Sequence, residues 1–483
     1  MNWWLIIEIA YLIILVLVCL KVIYDTRSHI KTLAYLLLVI FVPVFGIIFY
    51  FSFGINYRKH KLYSKKLVDD VQLASKLEED IFRKSKQTLE TSGPAVQTNK
   101  ELAVFLLSSG LSTLSSGNKV KLLINGEQKF PEVLEALRNA KHHIHLEYYI
   151  FEEGGIGREI EEILMEKAAK GVKVRFIYDD FGSRSIRRNI VKRLNNAGVE
   201  ALPFYKIMFL VLANRLNYRN HRKIIIVDGA VAFVGGINVA DRYLNNGKNK
   251  LFWRDTHLRI DGPGVHYLQY LFLCDWNFCT HDSVYPDRDL FPHTASITKP
   301  DNKVVQIAAS GPDSDVPTIL FSLIQAINLA TKEILITTPY FMPGDTMMNA
   351  LVIASMSGVK VKMLVPGISD SGFVDIASRS HFEDLLRAGV EIYFYQKGFV
   401  HAKTMVADRK LAIVGTANMD SRSFELNFEV NAIVYDEETA AQLADVFEAD
   451  LRDAEMIDAV GWHDRPVYKV LVEKVARLVS PLL

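Results

Sequence analysis

Cysteine is scarce in this sequence: three thiols, Cys19, Cys274 and Cys279, in 483 residues. So few, and an odd number, exclude a disulfide scaffold. Cys274 and Cys279 stand near His281, but no second ligand pair has zinc-site spacing, so the thiols read as inert groups in a reduced compartment. No metal or other cofactor is expected. Charge of one sign is also lacking, with 56 Lys and Arg against 55 Asp and Glu. The balance hides an asymmetry: residues 1–66 carry eight basic and two acidic side chains, which gives them +6 and leaves −5 for the remainder. A large body at −5 binds nucleic-acid backbone poorly, because that affinity rests on Lys and Arg neutralising phosphates. No nucleic-acid partner is expected. A collagen repeat and the polar bias of a disordered chain are missing as well, since half the residues are apolar and 23% are charged.

What is abundant is apolar length at the start. Trp3 to Ile23 and Leu33 to Phe53 are two runs of 21 residues each. At about 1.5 Å per residue each would span about 31 Å, the thickness of a bilayer's hydrocarbon core. Joined by a short polar turn, they predict a transmembrane helical hairpin over residues 1–58. Glu8 is near enough to one end to snorkel, and Pro43 and Gly46 are tolerable where neighbours satisfy the freed backbone groups. A signal peptide opens on a basic segment, yet no Lys or Arg precedes Lys21. Five basic residues from Arg58 to Lys66 follow the second run, against Lys21, Arg27 and Lys31 in or beside the turn. The positive-inside rule then places the large C-terminal part in the cytoplasm. Residues 59–99 are charge-rich with helical spacing and read as a linker helix ending near Ser92-Gly93-Pro94.

Beyond it, strands and helices alternate, and three stretches recur in order. Ile144–Ile150 matches Ile334–Tyr340, Gly171-Val-Lys-Val174 matches Gly358-Val-Lys-Val361, and Ala197-Gly-Val-Glu200 matches Ala388-Gly-Val-Glu391, at offsets of 190, 187 and 191. Near-constant offsets predict a duplicated α/β unit, with halves at 100–300 and 301–483.

Both halves then reach one polar signature. His221-Arg-Lys223 precedes Asp228, Gly235 and Asn238; His401-Ala-Lys403 precedes Asp408, Gly415 and Asn418, each position 180 residues on. On a strand of period two, the His and Lys of each pair emerge on one face. If the halves pack about an approximate two-fold axis, two imidazoles, two ammoniums and two amides converge on one pocket. Such a set suits a phosphodiester: one histidine attacks phosphorus, the other protonates the leaving oxygen, and Lys and Asn hold the nonbridging oxygens. Asp228 and Asp408 lie an odd seven residues from their histidines and would face away, as structural residues at strand ends. The carboxylates that orient the imidazoles are expected from Asp255 and Glu429, in strand-like segments after the Asn of each half.

The duplicated His-x-Lys-x4-Asp signature resembles the phospholipase D superfamily. Tyr218-Arg-Asn-His221-Arg-Lys223, Trp253-Arg-Asp-Thr-His257, Thr338-Pro-Tyr-Phe341 and Gly415–Phe424 are similar to its bacterial cardiolipin synthases, as are the paired N-terminal segments. Gly236 and Thr416 occupy a small-residue site that is often Ser in that family, so a hydroxyl is not essential there in the first half. The resemblance implies an α/β fold of two similar phospholipase D-like halves around a pseudo-two-fold axis, behind a transmembrane hairpin. It implies His221, Lys223, Asp228, His401, Lys403 and Asp408 as the catalytic motif residues, and Asn238 and Asn418 on substrate phosphate. It implies a metal-free ping-pong transfer in a bacterial plasma membrane: His221 forms a phosphatidyl-histidine from one phosphatidylglycerol, and His401 serves as acid and then base toward a second. The two histidines' roles are interchangeable by sequence, and hydrolysis of phospholipid is the alternative outcome.

Two further apolar segments stand out. Ile207 to Ala213 reads equally as an acyl entry groove or as a buried strand or helix. Val467 to Ser480 is an amphipathic helix, expected to pack on its own domain rather than on a membrane.

Overall fold

The computed structural model describes residues 3–26, 29–51, 71–110, 112–204, 218–247, 251–280, 283–292 and 302–479. Strands form where β-branched residues run without polar interruption. Lys223–Val227 and Leu411–Gly415 are buried at every position, as expected of strands covered on both faces.

In the first half the strands are β1 (Ser115–Ile124), β2 (His143–Tyr148), β3 (Lys173–Asp179), β4 (Glu200–Phe204), β5 (Lys223–Val227), β6 (Val231–Gly235), β7 (Phe252–Arg254) and β8 (Thr256–Asp261). The second half continues with β9 (Lys303–Ser310), β10 (Glu333–Thr337), β11 (Phe341–Met342), β12 (Lys360–Pro366), β13 (Glu391–Tyr395), β14 (Gly398–Val400), β15 (Thr404–Ala407), β16 (Leu411–Gly415), β17 (Met419–Asp420), β18 (Glu429–Tyr435) and β19 (Ala454–Met456). Among the described residues fifteen of them make one sheet, ordered β4-β3-β2-β5-β6-β8-β1 and then β9-β18-β16-β15-β10-β12-β13-β19. Read from the edges inward, the halves correspond strand for strand, save the extra edge β19, and meet where β1 pairs antiparallel with β9. The duplication seen in the sequence is therefore a two-fold relation within a continuous sheet. Gly171 and Gly358, and Gly198 and Gly389, turn helices into strands with φ between 87° and 94°, a region a side chain would strain.

One helical layer flanks each half. A third core is shared: the helices Val265–Cys279 and Glu437–Leu451 pack against strands of both halves, so the halves cannot separate without exposing it.

Ahead of this body, α1 (Trp3–Asp25) is long and apolar enough to cross a membrane. The second apolar run differs from the uninterrupted helix its length implies. It forms α2 (His29–Phe41) and α3 (Pro43–Phe49), broken at Val42, which takes φ −131°, ψ 66°. A residue before proline is pushed out of the helical region, and here α3 folds back on α2. The Tyr35 and Tyr50 rings are 5.5 Å apart, and a Cβ on Gly46 would stand 2.4 Å from the Leu38 carbonyl oxygen. At 13 residues α2 is about 20 Å long, well short of a bilayer core of about 30 Å. Val18 and Val22 of α1 pack against Val39 and Tyr50. Lys31, near the start of α2, reaches Glu425 of the catalytic body at 2.9 Å, so the start of α2 lies against that body.

Residues 52–70 lie outside the described residues, with the beginning of the expected linker. Its later part is α4 (Val71–Thr91), where the Ser85 hydroxyl accepts the Leu114 N–H at 3.2 Å. Ile207–Ala213 and His281 also fall outside the described residues.

Candidate active site

His221 and His401 sit just ahead of β5 and β15, on loops stitched to the opposite half. The His221 N–H donates to the Phe428 carbonyl at 2.9 Å, and Phe428 returns an N–H to Arg219 at 2.9 Å. The His401 N–H donates to the Arg254 carbonyl at 2.7 Å, where β14 runs parallel to β7. Both imidazoles line one cavity of about 860 Å³, which the sequence expectation of a shared pocket required.

The carboxylates cross between the halves. Nδ1 of His221 lies 2.9 and 3.0 Å from the two oxygens of Glu429, and Nδ1 of His401 lies 2.7 Å from Asp255 Oδ2. Each candidate orienting acid thus meets the other half's histidine. An acid on Nδ1 fixes the tautomer and leaves Nε2 as the reactive nitrogen. The His side chains keep 11% and 9% of their surface exposed while the acids keep 0% and 1%, so substrate can reach the rings but not their supports. The two acids differ in length, and the small-residue site compensates. Thr416 donates its hydroxyl to Glu429 at 2.5 Å, whereas a Cβ at Gly236 would stand 2.1 Å from Asp255 Oδ1.

Lys223 and Lys403 are buried, each donating Nζ to the carbonyl of its own half's histidine. Burial pulls Lys223 down to about 7 and Lys403 to about 8, although both carboxylates oppose the fall. Burial, and then Lys403, brings His401 down to about 3, and burial also lowers His221. Burial by itself would raise Glu429, but His221, Lys223 and the Thr416 hydroxyl outweigh it and hold the acid below its usual range. Burial thus disfavours the charged forms of both imidazoles and both ammoniums, and a bound anion would favour them again.

Asn238 and Asn418 line the same cavity. Asn238 accepts from the Ile150 N–H at 3.2 Å and donates to the Tyr243 hydroxyl at 2.7 Å. The Asn418 amide bonds to Asp420, and its Oδ1 is buried without a partner among the described residues. Asp228 and Asp408 do not line the cavity. They sit in the turns after β5 and β15, with φ 53° and 52°. Asp228 accepts backbone N–H bonds from Lys141, His142 and His143, and Asp408 from Thr331, Lys332 and Glu333. These aspartates clamp the entrance to β2 and β10.

Sequence reasoning gave no role to several lining groups: Tyr149, Phe181, Arg219, Arg242, Tyr340, Asp370, Asp420 and Arg422. Arg219, Tyr340, Asp420 and Arg422 belong to the stretches that resemble cardiolipin synthases, so the signal was present without an assigned task. Behind His221, Asp179 accepts the Asn220 N–H at 3.1 Å, Asn220 donates to Glu147 at 2.5 Å, and Arg222 pairs with Asp275. These bonds fix the loop.

Known proteins agree with this architecture. The family described as "Cardiolipin synthase, PLD-like domain" matches residues 133–258 and 323–451, and "Phospholipase_D-nuclease N-terminal" matches residues 9–54. A cardiolipin synthase 2 of Bacillus anthracis is 40% identical over 95% of this chain and 88% of its own length. The major cardiolipin synthase ClsA of Bacillus subtilis is 38% identical over 98% of both chains. The crystal structure of a phosphatidylserine synthase from Haemophilus influenzae shares the fold, with TM-score 0.59 and 15% identity over 80% of this chain and 100% of that one. With paired half-sites in one sheet and similarity along nearly its whole length, the chain belongs to the bacterial cardiolipin synthases, membrane enzymes of the phospholipase D superfamily.

Proposed function

We propose that the chain joins two phosphatidylglycerol molecules into cardiolipin and glycerol through a phosphatidyl-histidine intermediate. The observation that carries this reading is the crossed pairing of His221 with Glu429 and His401 with Asp255 at one cavity. In the first step His221 Nε2 attacks phosphorus and the bond to the glycerol headgroup oxygen breaks. His401 gives that oxygen its proton, so neutral glycerol leaves. In the second step a headgroup hydroxyl of another phosphatidylglycerol gives its proton to His401 as its oxygen attacks phosphorus. The phosphorus–nitrogen bond breaks, cardiolipin departs, and His401 again holds a proton. Lys223, Lys403, Asn238 and Asn418 bind the nonbridging oxygens, and the phosphodiester's negative charge offsets the burial that disfavours a protonated His401.

The test is to incubate purified protein with phosphatidylglycerol labelled in headgroup and acyl chains, with an alkaline quench that preserves phosphohistidine. Cardiolipin and glycerol in equal amounts are expected, with label trapped on one histidine. Phosphatidic acid in place of cardiolipin would make the enzyme a hydrolase, and label on His401 would reverse the two roles.

The membrane reading is supported by α1 and the Lys31–Glu425 pair. In our reading α1 crosses the plasma membrane once, while α2 and α3 enter and return on the side of the catalytic body. Lys21 and Lys31 then share that side, which the positive-inside rule makes the cytoplasm.

A further inference from the structure

The C-terminal helix Val467–Val479 is turned inside out for a soluble surface. Glu473 faces inward, 8% exposed, and is held by both arms of Arg465 at 2.6 and 3.0 Å; Ala476 is buried beside it. Val467, Tyr468, Leu471, Val472, Val475 and Leu478 face outward, each between 52% and 82% exposed. The expectation that this helix packs on its own domain thus holds for the side bearing Glu473 and Ala476. An apolar face of this extent is rare on a monomer without a function.

We propose that this helix lies in the headgroup–acyl boundary of the bilayer that holds α1, and seats the second half's rim of the cavity on the lipid surface. Three observations select lipid as its cover. First, Ala476 packs in one cluster with Met342, Tyr340 and Val374, which are themselves cavity-lining residues, so the helix backs the cavity wall. Second, the helix Ser421–Glu425, whose Ser421 hydroxyl donates to the Met342 carbonyl at 3.4 Å, holds cavity-lining Arg422 and meets α2 through Glu425, so the same part of the rim bears both the membrane segment and the C-terminal helix. Third, exposed Lys469 and Lys474 flank the apolar face, at helical neighbours of Val472 and of Leu471 and Leu478, as in helices that lie on anionic lipid. A lipid leaving the leaflet at this edge enters the cavity without its chains crossing water. The proposal rests on the membrane reading above and not on the histidine chemistry.

A nitroxide on L471C, in full-length protein with Cys19, Cys274 and Cys279 replaced by alanine, tests it in phosphatidylglycerol vesicles. The label should be open to oxygen and shielded from a water-soluble nickel chelate. Access to the chelate, or dipolar coupling between labels on two chains, would overturn the proposal, the latter assigning the face to a second copy. In parallel, L471E/V475E should lower turnover of vesicle phosphatidylglycerol about tenfold or more through KM, with turnover of a monomeric short-chain phosphatidylglycerol unchanged. Undiminished turnover on vesicles would also overturn it. Absence of transfer by the unmutated protein on the short-chain substrate would sink the proposed chemistry and leave the nitroxide result standing.

Discussion

His221 takes its carboxylate from Glu429, 208 residues further along the chain, at 2.9 Å. Neither half holds both an imidazole and its carboxylate partner, since each ring's acid belongs to the other half.

Glu429→Gln and Asp255→Asn should each lower kcat by about 10²-fold or more while leaving KM nearly unchanged, because an amide presents the wrong partner to Nδ1. Steady-state kinetics of each variant, with its fold checked by circular dichroism, decide this. Unchanged kcat would remove the orienting role.

His221→Ala and His401→Ala should both abolish transfer, and Lys223→Ala or Lys403→Ala should cost about 10²- to 10³-fold, the loss typical of one donor to a developing anion. A phosphatidyl ester with a good leaving group separates the histidines. The proton donor then becomes dispensable for the first step, so His401→Ala should still accumulate labelled enzyme and His221→Ala should not.

Lys223 at about 7 and Lys403 at about 8 set an alkaline limb. The free enzyme holds these cations only below those values, so kcat/KM should fall as the pH rises through them. Lys403→Arg, charged throughout, should move the limb upward; a flat profile to pH 9 would contradict the binding role. The same lowering acts on the fold. Between about 7 and the ordinary lysine value of 10.5 the unfolded chain binds the proton that Lys223 gives up, so this group makes stability rise with pH across that window.

Asp228→Ala and Asp408→Ala should behave as stability variants. Each strands three backbone N–H groups at a strand entrance, a loss of about 1 to 3 kcal/mol, read as a lower unfolding midpoint. Activity per folded molecule should persist.

Membrane topology is open to cysteine labelling with an impermeant maleimide. Asn2→Cys should react in intact cells and Lys31→Cys only after permeabilisation. Protection of Asn2→Cys together with labelling of Lys31→Cys in intact cells would instead show two full crossings, the turn lying outside, and would overturn the single crossing with a returning pair.

Much of this protein was written in its sequence. The repeat, the paired His-x-Lys signatures and the parity that turns Asp228 and Asp408 away are local facts, because strand period and left-handed turns depend on near neighbours. The length of α1 and the charge asymmetry were equally legible. The bend at Val42 was signalled by Pro43, but apolar content alone counts a bent pair and a straight span alike. Only the tertiary structure decided that Glu429 serves His221 and Asp255 serves His401, that Lys31 rests on Glu425, and that Glu473 turns inward while its apolar neighbours face out. Each of these joins residues far apart in the chain or sets which way a helix rolls. Periodicity fixes the spacing of side chains around an element and leaves open what that element is packed against.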